Sequence, residues 1–182
     1  DAKVREVIDK ELGAQKKFGS DILKTGYGTI GFPVLNYGIY GYENYFMAFV
    51  LYPEVMEKSF KLQADYWRLN NKAVARAYRE ASLPPLYRLD HDIADSRGTL
   101  VNIKTLDKLW LPYFVKALEP VLHSDIKLIW HCDGNLMEMV PRLIDIGIAG
   151  FQGFQYEDGM DYKKICSMKN KDGDDLIIVA GV

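Results

Sequence analysis

The sequence predicts an α/β fold built on a parallel sheet, and three observations predict it. Short apolar runs recur along the 182 residues, separated by segments with helical three-to-four spacing. The clearest run, Leu128-Ile129-Trp130, ends abruptly in His131-Cys132-Asp133, and Gly134-Asn135 then opens an amphipathic segment. A buried parallel strand delivers polar side chains to the mouth of an α/β fold in this way. Finally, a hydrophobic fraction of 48% with only 7 prolines marks a globular chain, long enough for one core.

The elements follow in order. Residues 1–17 read as a helix with Val4, Val7, Ile8 and Leu12 on one face. Residues 26–42 read as a strand followed by a loop, with tight turns at Gly38 and Gly41. A short helix over 43–51 is separated by Pro53 from a long one that runs to about Ala81. The apolar stripe of the long helix is Met56, Phe60, Trp67, Val74 and Tyr78. After Pro84-Pro85, Leu86 to Leu89 form a strand that ends in Asp90-His91-Asp92. A loop containing Gly98 leads to Asn102, a helix cap, and to a helix carrying Leu106, Leu109, Trp110 and Phe114 that Pro112 kinks. Strand 126–130 precedes a helix with Leu136, Met139, Val140, Leu143 and Ile144. Strand 148–154, a helix over 161–169 and a last strand over 174–180 complete the series. Such alternation means βαβ units and a parallel sheet.

Composition narrows the function classes. A net charge of −2 and a pI near 5.9 give no footprint for nucleic acid or an anionic membrane surface. No apolar run approaches the roughly 20 residues a membrane helix needs. The N-terminus, Asp1-Ala2-Lys3-Val4-Arg5-Glu6, carries no signal-peptide pattern, and two cysteines make no disulfide framework, so a reducing cytoplasm is the expected compartment. The chain lacks a starting Met and stops on the apolar run Leu176 to Val182, which reads as a piece cut from a longer protein.

The candidate site residues gather at strand ends. His131 and Asp133 form either a structural hydrogen bond or a ligand site at the C-terminal mouth, where neutral imidazole serves as metal ligand or proton carrier. Asp90, His91 and Asp92 read as a solvated loop or as part of that mouth, with Asp92 the inward group. Gln155 and Glu157 either start a turn or complete the polar rim. Cys132 and Cys166 read as small core residues. Tyr37, Tyr40, Tyr42, Tyr45 and Phe46 read as core and rim packing, with a wall for a flat macrocycle as the alternative.

Several of these motifs, in their order, resemble the uroporphyrinogen decarboxylase superfamily. They are Gly41-Tyr42-Glu43-Asn44, Pro53-Glu54-Val55, Asp90-His91-Asp92-Ile93-Ala94-Asp95, Gly98-Thr99-Leu100, Leu111-Pro112-Tyr113, His131-Cys132-Asp133-Gly134-Asn135 and Gly159-Met160-Asp161. The resemblance implies a (β/α)8 TIM barrel, of which this chain would be a partial barrel covering the middle in one domain, 1–182. One branch of the family decarboxylates uroporphyrinogen without a cofactor. The other moves methyl groups between a corrinoid protein and a thiol such as coenzyme M, using zinc held by a His-x-Cys pair and a later Cys.

This sequence departs from both patterns. His131 stands at the family histidine, but Asp133 replaces the cysteine, and Cys132 sits one residue early, on the opposite face of a strand. The third ligand would lie beyond Val182. Gln152 to Glu157 lack the Asp-Trp pair that decarboxylases carry after the matching strand. The resemblance therefore implies a methyltransferase-like enzyme with a corrinoid-carrying partner protein, in which His131 and Asp133 hold a metal such as zinc. Asp92, His131 and Asp133 are the catalytic candidates; Asp90, His91, Gln155 and Glu157 are the substrate-binding ones. The alternatives are a metal-free tetrapyrrole decarboxylase and a non-catalytic subunit that binds a corrinoid or tetrapyrrole.

Overall fold

A computed structural model describes residues 1–180; Gly181 and Val182, assigned by sequence to the end of the last apolar run, lie outside the described residues. Five parallel strands form one sheet: β1 (Gly26–Tyr27), β2 (Leu86–Asp90), β5 (Lys127–His131), β6 (Gly150–Gln152) and β7 (Ile177–Val179). Each of these strands lies beside its nearest sheet neighbour in the chain, in the order β1-β2-β5-β6-β7. Between β2 and β5 the chain makes a small antiparallel hairpin, β3 (Ala94–Asp95) with β4 (Gly98–Thr99). The α/β parallel architecture read from sequence is therefore present among the described residues.

Eight helices are described: α1 (Ala2–Phe18), α2 (Tyr37–Tyr40), α3 (Tyr42–Leu51), α4 (Pro53–Glu80), α5 (Ile103–Leu109), α6 (Leu111–Leu122), α7 (Val140–Ile146) and α8 (Tyr162–Cys166). The core lies between the sheet and these helices. In β2, Tyr87 and Leu89 are buried while Leu86, Arg88 and Asp90 alternate to the other face. Register carries the alternation across, so Leu128, Trp130 and Phe151 join Tyr87 and Leu89 on the helix side. Trp130 meets Phe114 edge-on at 5.3 Å and Phe32 at 5.5 Å, which fixes the sheet against α6.

Helix α4 begins at Pro53, whose fixed φ suits a first turn, and buries Met56, Phe60, Val74 and Tyr78, with Trp67 packed at the edge of the core. Phe60 is fully buried, worth about 3 kcal/mol of apolar transfer. Asn71, also fully buried in the same helix, accepts from Gly31 N (3.0 Å) and donates to Gly31 O (2.7 Å) and Ala117 O (2.8 Å). It thereby satisfies backbone groups of a loop that has no ladder partners.

Several elements differ from the sequence reading. β1 is only two residues long, because the N–H groups that follow are taken by side chains: Thr29 and Ile30 donate to the Tyr87 hydroxyl and Leu35 donates to His91. Gly38 lies inside the short helix α2 instead of a turn. Pro112 does not kink one helix but starts a second, with the break at Trp110. The helix placed over Leu136 to Ile144 begins only at Val140; Leu136 and Met139 are buried from a turn-rich loop. On α1, Leu12 is 48% exposed and Glu11 is buried in its place, ion-paired with Lys24. Cys166 is exposed at the end of α8, so it is not the core residue expected; Cys132 is.

Candidate functional site

The strand register sets out the site. Asp90, His131, Gln152 and Val179 are consecutive partners across β2, β5, β6 and β7, at their C-terminal ends and on the face opposite the helices. Period-two alternation puts His131 there: Trp130 must point into the core, so its neighbour points out of it. The imidazole is not turned into a helix layer. It is largely enclosed, with 16% of its side chain exposed, whereas Asp133 beside it is 54% exposed.

Three carboxylates surround the His131 ring. Its Nε2 lies 3.9 Å from Asp90 Oδ1 and 4.0 Å from Asp133 Oδ1. Asp92 is fixed from the neighbouring loop, where its Oδ1 accepts the Asp133 N–H at 3.0 Å. Asp92, His131 and Asp133 each offer a ligand atom within 4.8 Å of the other two. The opposite edge of the ring rests on Gly153: a Cβ there would sit 2.4 Å from His131 Nδ1 and 2.5 Å from Cε1. Nδ1 is buried without a hydrogen-bond partner. The three catalytic candidates thus meet at one point, reached from two strand ends.

The other expected residues divide. Asp90 belongs to the site, because its Oδ2 takes the Arg88 guanidinium and accepts the Tyr27 hydroxyl at 3.2 Å. Gln155 braces the site loop, its Oε1 accepting the Gly134 N–H at 3.1 Å. Glu157 is exposed on a single 3-10 turn, Tyr156–Asp158, outside the carboxylate cluster. His91 turns away: its Nε2 accepts Leu35 N–H at 2.8 Å, and its ring stacks on Tyr37 with centroids 6.1 Å apart. Burial holds its pKa down at about 4 against the pull of Asp92 and Asp90, so it is a neutral acceptor. Tyr37 in turn donates to Asp92 O at 3.0 Å, linking the α2–α3 aromatic cluster to the site loop.

The donor set decides which metal chemistry fits. One imidazole and two carboxylates, with open positions left over, suit a borderline or hard divalent ion such as zinc. The thiolate-rich zinc site of the family pattern does not fit. Cys132 is buried on the other face; its Sγ takes the Ile93 N–H at 3.4 Å and donates to Asp133 O at 3.1 Å. Burial pushes that thiol up to about 12, which keeps it protonated.

Arg88, Tyr27 and Gly153 are site residues that sequence reasoning missed. Arg88 had a signal, since it shares the parity of Asp90 on one strand; Tyr27 and Gly153 come from strands too short for a period to show. The largest groove, about 610 Å³, lies at the other end of the strands around Lys72, Arg79, Pro85, His123 and Ile126, and contains none of these residues. Comparison of the chain with protein-family models, curated proteins and solved structures finds no match.

Proposed function

We propose that this protein is a metal-assisted enzyme on the (β/α)8-barrel plan, of the uroporphyrinogen decarboxylase superfamily and its methyltransferase-like branch. The observation that supports it best is the convergence of Asp92, His131 and Asp133 at the C-terminal strand ends. The strand order β1-β2-β5-β6-β7, all parallel, supports the barrel plan, because barrels add each strand beside the last. Barrel enzymes work at that end of the sheet.

His131 and Asp133 hold the ion from the β5 terminus, and Asp92 completes the set from the β2 loop. When bound, a divalent ion supplies Lewis acidity toward a thiol or methoxy-type oxygen, which suits methyl exchange with a corrinoid carried by a partner protein. Asp90, anchored by Arg88 and Tyr27, keeps negative charge beside the imidazole and so raises its basicity as a ligand. Gly153 keeps the ring facing the carboxylates.

Elemental analysis of the purified full chain, with a methyl-transfer assay from methylcobalamin to a thiol, tests this. Equimolar divalent metal and thiol methylation, both lost in His131→Ala, are the expected result. Metal-free protein that consumes uroporphyrinogen would instead establish the decarboxylase. Tight tetrapyrrole binding with neither turnover would establish a binding subunit.

A further inference from the structure

We infer that Arg88 is the anion anchor of this site, and that the molecule bound there carries a carboxylate roughly 7 Å from its reacting atom. The inference rests on the site reading above and adds the class of substrate to it. Arg88 precedes Asp90 by two residues on β2, so both side chains stand on the open face of the sheet. That places Arg88 one layer below the Asp90–His131 row, roughly 7 Å along the strand.

A guanidinium on a sheet face needs partners, and Arg88 has them on one side only. It pairs with Asp90 Oδ2 and lies over the Tyr27 ring, 5.1 Å from the centroid. The Tyr27 hydroxyl donates to that same carboxylate oxygen. Of the five N–H donors of the fork, Nε finds no partner, and 36% of the Arg88 side chain is open. An ion pair that served structure alone would leave no buried donor unmet.

A planar carboxylate matches the fork bidentately, and a small shift of the guanidinium toward it gives the orphaned Nε an acceptor. Charge favours a monoanion over a phosphate dianion. Asp90, Asp92 and Asp133 already surround His131, and a doubly charged group would face all three. The Tyr27 ring, half-exposed beside the guanidinium, offers a flat apolar wall for the carbon atoms next to the acid.

Titration of the full chain with acetate, metal removed by chelation, tests this through the arginine Nε–H signals in ¹H–¹⁵N spectra. One such signal is expected to shift saturably in the wild type and in His131→Ala, and to vanish in Arg88→Gln with acetate affinity down at least about tenfold. Arg88→Lys, which keeps the charge but not the fork, should bind acetate more weakly than wild type and more tightly than Arg88→Gln. Acetate affinity unchanged in Arg88→Gln, or no saturable shift in the wild type, overturns the anchor. Inorganic phosphate binding more tightly than acetate overturns the carboxylate assignment. Metal binding is read separately, so its loss with acetate binding intact would remove the enzyme reading and leave the anchor standing.

Discussion

Gly153→Ala separates the position of the His131 ring from the stability of the fold. A Cβ at residue 153 would stand 2.4 Å from Nδ1 and 2.5 Å from Cε1 of His131, inside any real contact, and 3.4 Å from Asp133 Oδ1. The residue also has φ +89°, which costs an L side chain about 1–2 kcal/mol. The backbone cost lowers the melting temperature by roughly 2–8 °C for a chain of this size. The steric clash is relieved by rotating the imidazole away from Gly153, which moves Nε2 off the point it shares with Asp92 and Asp133. Zinc affinity should therefore fall about 10–100-fold, the range seen when the support of a ligand is lost.

Gly173→Ala is the matched control, since Gly173 has φ +88° with nothing within 4 Å of its Cβ position. It should show the same thermal shift and wild-type zinc affinity. Competition with a chromophoric chelator and a thermal melt give both numbers for each variant. If folded Gly153→Ala bound zinc as tightly as Gly173→Ala, the claim that the ring's contact with Gly153 sets the metal site would be wrong.

Two further outcomes follow from burial. In the native protein Cys166 is expected to react with a thiol reagent while Cys132 stays protected until unfolding, because its thiol is buried and raised to about 12; equal reactivity would contradict the placement of Cys132. His91 has a folded pKa near 4 against 6.5 unfolded, so the unfolded chain binds more protons between those values. Its contribution, on the order of 3 kcal/mol, is complete above pH 6.5 and disappears as pH falls through about 4. Urea melts at pH 7 and pH 5 should show a smaller difference in His91→Gln, whose amide oxygen accepts Leu35 N–H without titrating. Equal differences in the two proteins would count against a neutral His91.

The parts of this molecule legible in its sequence are those where periodicity and chain order agree. The α4 stripe from Met56 to Tyr78 repeats over many turns, and Leu128 to His131 is an apolar run with a sharp polar end; both fall where expected. The pairing of His131 with Asp92 and Asp133 followed from strand parity alone. What was hidden depends on contacts between distant residues. β1 stops after Tyr27 because the Tyr87 hydroxyl, some sixty residues later, takes the next free N–H groups. The loop before α7 persists because Asn135 N donates to Asp95 O and Leu136 N to the Met160 sulfur, partners no local pattern reveals. His91 reads like its acidic neighbours in a list of polar residues, yet one step along the chain puts it against Phe32 and Tyr37.

Cobalt(II) titration followed by electronic absorption addresses the shared mouth of β2 and β5 most directly, because the spectrum reports the donor atoms. Saturation at one equivalent is predicted, with ligand-field bands of nitrogen and oxygen coordination, no thiolate charge-transfer band, and loss of the signal in His131→Ala and Asp133→Asn. A thiolate band, or a spectrum indifferent to those two substitutions, would contradict the assignment of Asp92, His131 and Asp133 as the metal ligands.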